Sequence, residues 1–134
     1  MPTLDCMYLK IYFLFARSLQ WSEGIICRGF KGNVKYSPPE ILKARYVRLW
    51  ILVKVSRYDK TITSYPYSPK TDTYGFGLIL WELVSLDPLF PHIKGKEELT
   101  GFVLEGKRPE MLNTWPPSLR ELLSQCWHMD PKVR

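Results

Sequence analysis

The groups in this 134-residue chain that could do chemistry are few: two histidines, three cysteines, and charged residues at the ends of predicted elements. His92 and His128 stand apart, with no second ligand at metal spacing and no nucleophile beside either. Both read as surface or packing residues. Cys6, Cys27 and Cys126 are odd in number and form no C-x-x-C pair, which argues against a zinc site. We read them as free thiols of a reducing compartment, with Cys126 in the core. The expected catalytic, cofactor-binding and metal-ligating residues are therefore none. A phosphate-binding chemistry is open to residues 43–60, where six basic side chains interleave with Tyr46, Trp50 and Tyr58. The alternative there is an extended insertion or edge strand whose charges are solvated. Asp72 is a carboxylate at a helix start, a good capping position in its own right.

The elements that must position these groups follow from periodicity. Residues 47–55 alternate Val47, Leu49, Ile51, Val53 and Val55 with Arg48, Trp50, Leu52 and Lys54, a period of two that predicts a strand. Phe76, Ile79, Leu80, Leu83 and Val84 recur at helical spacing, with Leu78 and Trp81 apolar between them. A helix apolar on nearly all sides is expected at the centre of its domain, ending at Asp87 and Pro88. Residues 96–106 predict a short amphipathic helix. Glu97 and Glu98 suit its positive end, Leu99, Phe102 and Val103 share a face, and Gly106 makes a left-handed stop. Ser118 and Glu121 read as a capping box for a last helix carrying Leu119, Leu122, Leu123, Cys126 and Trp127.

Length and composition bound the rest. The chain suffices for one domain with one core, and 46% hydrophobic with 24% charged residues is ordinary for a globular chain and does not suggest disorder. The net charge of +6 favours acidic surfaces without saying anything of the fold. Residues 9–16 (LKIYFLFA) are apolar around Lys10, about half the length of a membrane span. A signal or anchor is one reading of this leader. A packed segment, or one foreign to the domain, is the other.

Three blocks in order carry a family resemblance. Residues 32–40 (GNVKYSPPE) resemble the end of a protein kinase activation segment, G-T-x-x-Y-x-A-P-E. Gly32, Tyr36, Pro39 and Glu40 are in register, with Pro38 in place of alanine, and the V-K-Y-S-P-P-E run is closest to the Tec-type tyrosine kinase version. Residues 72–77 (DTYGFG) are similar to the D-x-[WY]-x-F-G start of the family's buried central helix. Cys126, Trp127, Asp130, Pro131 and Arg134 resemble its C-W-x-x-[DN]-P-x-x-R signature. The resemblance implies a mainly α fold. It would be a partial kinase-like large lobe, made of the activation-segment end, the central helix and the helices after it, without the small lobe.

The resemblance also implies roles. Gly32, Asn33, Val34, Lys35 and Tyr36 would shape the pocket for the substrate residue after the phospho-acceptor. Asn33, where serine/threonine kinases carry threonine, and Lys35 tilt the reading toward tyrosine or tyrosine-kinase-like groups. Asp72 would accept hydrogen bonds from the catalytic-loop backbone, and Arg134 would pair with Glu40. Pro39, Phe76, Gly77 and Trp127 would be structural.

The departures are as informative as the matches. The sequence contains no G-x-G-x-x-G turn, no V-A-I-K lysine, no H-R-D and no D-F-G, the parts that bind nucleotide and metal. Glu40 and Asp72 stand further apart than the family places them. We expect an unassigned leader at residues 1–31 and a partial kinase domain at 32–134 with an atypical insertion at about 43–64, the leader and insertion being foreign to the family. The function expected is that of a kinase fragment. ATP and Mg would serve the full-length family, while this chain alone neither binds them nor turns over. Two alternatives are carried: a non-catalytic interaction module, and a basic nucleic-acid or acidic-lipid binder through residues 43–60. Protein substrates or regulators are the expected partners rather than nucleic acid, with no transmembrane span and a cytoplasmic location.

Overall fold

A computed structural model describes residues 25–27, 30, 32–54 and 65–134, and of residues 25–27 and 50–54 the backbone alone. The described chain is mainly helical. A short strand β1 (Ile25–Cys27) precedes a 3-10 turn (Val34–Tyr36), helix α1 (Pro39–Lys54) and strand β2 (Tyr65–Tyr67). Helices α2 (Pro69–Ser85), α3 (Lys96–Leu104) and α4 (Pro117–Cys126) follow. The strands form an antiparallel ribbon in which Ile25 faces Tyr67 and Cys27 faces Tyr65.

Helix α1 corrects the sequence expectation. The alternation over residues 47–55 predicted a strand, yet helix runs without a break from Pro39 to Lys54. Pro39 starts it at the first helical position, where a missing N–H costs nothing. Ile41 and Leu42, both fully buried, then anchor its first turn in the core. Once that turn is fixed, each further residue adds a hydrogen bond for little extra entropy. β-Branched preference for strands is a packing preference and yields to such context. Residues 55–64, and the leader before residue 25, lie outside the described residues.

Helix α2 is capped by Ser68, whose hydroxyl accepts from the Lys70 N–H at 3.2 Å while the Ser68 N–H donates to the Thr71 hydroxyl at 3.2 Å. Its last residue is Ser85, and Leu86 caps it in a left-handed conformation (φ 59°) just before Asp87. The expected burial on all sides does not occur. Tyr74, Gly75, Gly77, Leu78 and Trp81 are buried, whereas Phe76 and Leu83 are more than half exposed and Val84 is exposed. On that second face Ile79 and Leu80 are half-buried against the core, while Phe76, Leu83 and Val84 stay exposed.

The buried face of α2 meets α4 at a close crossing. A Cβ on Gly77 would stand 2.6 Å from the Cys126 Cβ, so only glycine lets the two helices approach this far. Leu123, Cys126 and Trp127 are buried there, as the apolar spacing of α4 requires. The Ser118 capping box does not form. Helix starts earlier, at Pro117 with Pro116 as its cap, so Ser118 already lies inside the first turn. Helix α3 buries Leu99 and Val103 with Phe102 half-covered, and Gly106 follows it at φ 83°. One core joins these helices to the 3-10 turn through Val34, Tyr36, Leu42, Leu78, Trp81 and Leu89.

Candidate functional site

The best-defined polar constellation surrounds residues 32–40. Gly32 adopts φ 106°, open to glycine and strained for other residues. The Asn33 side chain then accepts from the Lys35 N–H at 3.0 Å, and the Ser37 hydroxyl donates to the Asn33 carbonyl at 2.8 Å. These local bonds wind the 3-10 turn and point Val34 and Tyr36 inward, where both are buried. Lys35 stays at the surface edge.

The turn is tied to α2 by a carboxylate that the sequence reading did not single out. Glu82 accepts the Tyr36 hydroxyl at 2.7 Å through Oε2, and through Oε1 it accepts the Leu89 N–H at 3.0 Å. Lys35 Nζ lies 3.4 Å from the same Oε1. The available signal was a single acidic residue inside an otherwise apolar helical run, since an ionised group there needs partners.

A second tie holds the other end of the segment. Glu40, in the first turn of α1, receives Arg134 Nη1 at 2.9 Å and Nη2 at 2.7 Å, with the arginine side chain fully buried. Arg134 also donates to the His128 carbonyl at 2.7 Å and to the Lys70 carbonyl at 3.0 Å. Lys70 Nζ returns a bond to the Arg134 carbonyl. Five donors in a planar fork suit this multiple use, which lysine could not reproduce.

Tyr74 lies beside this pair. The Arg134 guanidinium carbon is 5.1 Å and that of Arg108 5.3 Å from its ring centre. Its hydroxyl is buried without a hydrogen-bond partner. Burial pushes its pKa up to about 12, against the opposing pull of the two arginines. Burial also lowers the Arg108 pKa, and Arg108 spends its donors on the carbonyls of Trp127, Val103 and Lys107. Trp127 itself is buried against the core.

The structure therefore brings together Gly32, Asn33, Val34, Lys35, Tyr36, Pro39, Glu40, Trp127 and Arg134. Asp72 and Phe76 lie elsewhere, on the exposed face of α2 opposite Tyr74 and Trp81. Asp72 is exposed and has no hydrogen bond or ion pair among the described residues, while partial desolvation raises its carboxyl above the usual range. Among the described side chains of α1 the basic residues Lys43, Arg45 and Arg48 do not pool into one patch. Lys43 projects from the side of the helix opposite Arg45 and Arg48, and the Arg45 guanidinium is 5.8 Å from the Phe30 ring centre. Residues 57 and 60 lie outside the described residues. His92 packs edge-on against Phe102, and the His128 ring accepts from the Asp130 N–H. Among the described residues no cluster of three His, Cys, Asp or Glu could hold a metal, and no helix is long and apolar enough to cross a membrane.

Comparison with known proteins decides the family. The family model for protein tyrosine and serine/threonine kinases matches residues 26–134. The chain belongs to the protein kinase family. This kinase chain is 30% identical over 104 residues to a light-sensor protein kinase of Ceratodon purpureus, covering 78% of the chain and 8% of that protein. It is 29% identical over 107 residues to the dual specificity protein kinase shkA of Dictyostelium discoideum, 79% of the chain and 16% of that protein. Over 129 residues it is 30% identical to vascular endothelial growth factor receptor 1 of Mus musculus, 90% of the chain and 9% of the receptor. The kinase chain thus spans less than a fifth of the length of each of these relatives. The family match begins at residue 26, so it takes in the last two residues of β1 as well as the motifs after Gly32.

Proposed function

We propose that residues 32–39 are the substrate-docking platform of a protein kinase large lobe, and that this chain by itself is a docking piece rather than an enzyme. The observation that carries the reading is the double anchoring of the segment, by Tyr36 to Glu82 and by Glu40 to Arg134. A peptide-binding loop gains affinity when its shape is fixed before the ligand arrives, because less entropy is lost on binding. Here the turn is held at both ends while Lys35 remains half exposed at its rim.

Phosphoryl transfer needs a nucleotide cradle, a metal and a base. The family's motifs for all three are missing from the sequence. The complete domain would transfer the γ-phosphoryl of Mg-ATP to a protein hydroxyl. Asn33 in place of threonine supports tyrosine or tyrosine-kinase-like specificity. A cytoplasmic location is part of the same proposal.

The test uses the purified full chain. Calorimetry with Mg-ATP is expected to show no binding, and assays with labelled ATP no transfer to peptide substrates. A peptide array is expected to show nucleotide-independent binding that Lys35→Glu weakens. ATP-dependent phosphorylation by the chain alone overturns the reading of inactivity. Absence of any peptide binding overturns the docking role.

A further inference from the structure

Arg108 is a half-buried cation with an uneven set of partners. Its Nε donates to the Trp127 carbonyl at 2.9 Å, and Nη1 donates to the carbonyls of Val103 at 3.1 Å and Lys107 at 2.7 Å. The remaining nitrogen, Nη2, donates to the Met129 thioether at 3.0 Å. Among the described residues no carboxylate lies within ion-pair distance of Arg108, and Glu40 is taken by Arg134. A thioether sulfur is a weak acceptor. A charged donor gains most from a strong one, so Nη2 is poorly served where it points.

Met129 is 41% exposed, so its side chain is open to small solutes. The other described methionine, Met111, is half-buried against the core. The backbone of Met129 is already held, since its carbonyl accepts from Arg134 Nη2 at 3.4 Å. The residue therefore stands between two guanidiniums, one on its carbonyl and one on its sulfur.

Hydrogen peroxide converts such a thioether to a sulfoxide. A sulfur lone pair attacks one peroxide oxygen, the S–O bond forms and the O–O bond breaks. The departing hydroxide takes the proton of the transferred oxygen and leaves as water. Sulfur gives up two electrons and the peroxide is reduced. At a buried methionine the new polar group disrupts packing. At Met129 it arises on an exposed side chain, and the unbranched chain can turn its oxygen toward Nη2.

We propose that Met129 is a site of reversible oxidation by hydrogen peroxide, at which Arg108 holds the sulfoxide oxygen by a charge-assisted hydrogen bond. The oxidised form ties the turn after α3 more firmly to the segment after α4 that carries Arg134. Reduction by a methionine sulfoxide reductase returns the thioether. The proposal is independent of the docking role above.

The experiment treats the full chain with hydrogen peroxide, then with dithiothreitol to return oxidised thiols, and maps each methionine by mass. Met129 is expected to convert ahead of Met111. Treated Met129→Leu keeps every other oxidisable group and serves as the reference. Relative to it, the wild-type chain is expected to gain about 3–5 °C in Tm on oxidation, and the reductase to abolish the gain. In Arg108→Ala the same oxidation is expected to bring no gain. Met129→Gln sets an amide oxygen near Nη2 without any oxidant, at an exposed position that leaves the core intact. It is expected to melt above Met129→Leu by a similar margin, and it decides the matter if Arg108→Ala does not fold. Met129 remaining reduced while Met111 converts overturns the proposal. So does an unchanged or lowered Tm once Met129 is converted, a gain that persists in folded Arg108→Ala, or a Met129→Gln no more stable than Met129→Leu.

Discussion

Arg134 clasps Glu40 with two hydrogen bonds, 2.9 Å from Nη1 and 2.7 Å from Nη2, across 94 positions of sequence. The contact joins the last described residue to the first turn of α1. Removing one partner leaves the other charge buried, so Glu40→Ala and Arg134→Ala are each expected to cost about 3–5 kcal/mol. Arg134→Lys is expected to recover only a minor part, because an ammonium cannot fork onto both oxygens. Urea unfolding of the four proteins, with the double mutant to complete the cycle, measures the coupling.

Gly77 and Cys126 set how closely α2 and α4 approach. Gly77→Ala puts a methyl 2.6 Å from the Cys126 Cβ and is expected to destabilise by about 1–3 kcal/mol. Cys126→Gly removes the obstructing carbon, so the double mutant is expected to be less destabilised than the sum of the two single changes. Thermal melts of the four proteins decide it. Additive effects would show that the helices move apart at no cost.

Tyr74 makes a pH prediction. Its folded-state pKa is pushed up to about 12 from an ordinary value of 10.0, so the fold favours the neutral phenol. That contribution is complete below pH 10, declines as the unfolded chain ionises, and is lost as pH rises through about 12. Alkaline unfolding followed by tyrosinate absorbance is expected to show one late-titrating phenol, absent from Tyr74→Phe. At neutral pH, Tyr74→Phe keeps the ring between the two guanidiniums and removes an unpartnered buried hydroxyl. It is expected to stabilise by about 1 kcal/mol.

Tyr36 is a poor target for phosphorylation in the folded chain. It is 7% exposed and its hydroxyl is bonded to a carboxylate, against which a phosphate would be repelled. Treatment with an active tyrosine kinase, followed by mass mapping, is expected to leave Tyr36 unmodified under native conditions. Tyr36→Phe is expected to cost about 1.5–3 kcal/mol, the range for a hydrogen bond to a charged group.

Leu86 closes α2 in a left-handed conformation while 88% exposed. Its side chain contributes almost no burial there, and its Cβ carries the strain. Leu86→Gly is expected to raise stability by about 1 kcal/mol or slightly less, read as an upward shift in Tm.

Much of the helical frame was legible in the sequence, for particular reasons. The start of α3 at Lys96, its apolar face and the Gly106 stop follow from local rules that tertiary context did not disturb. Helix α1 was misread because the alternating Val and Ile run fits a strand when taken alone. What decides the matter is Ile41 and Leu42, which seat the helix in the core before that run begins. The α4 start was misplaced because Pro117, suited to a first helical position, takes precedence over a Ser118 cap. The exposed half of α2 could not be inferred from apolarity, since a periodic pattern says which residues avoid water and not what is available to cover them. Glu82 and Arg108 were missed for a related reason. Their partners come from turns distant in sequence, and no local pattern encodes such a meeting.

The β1–β2 ribbon has a consequence for how this gene can change. It pins residues 25–27 to residues 65–67, so everything between is an excursion that returns to its own starting point. Doubling the length of a flexible closed loop costs only about 0.6 kcal/mol. Closure of the ribbon therefore sets only a weak limit on the number of residues between 27 and 65.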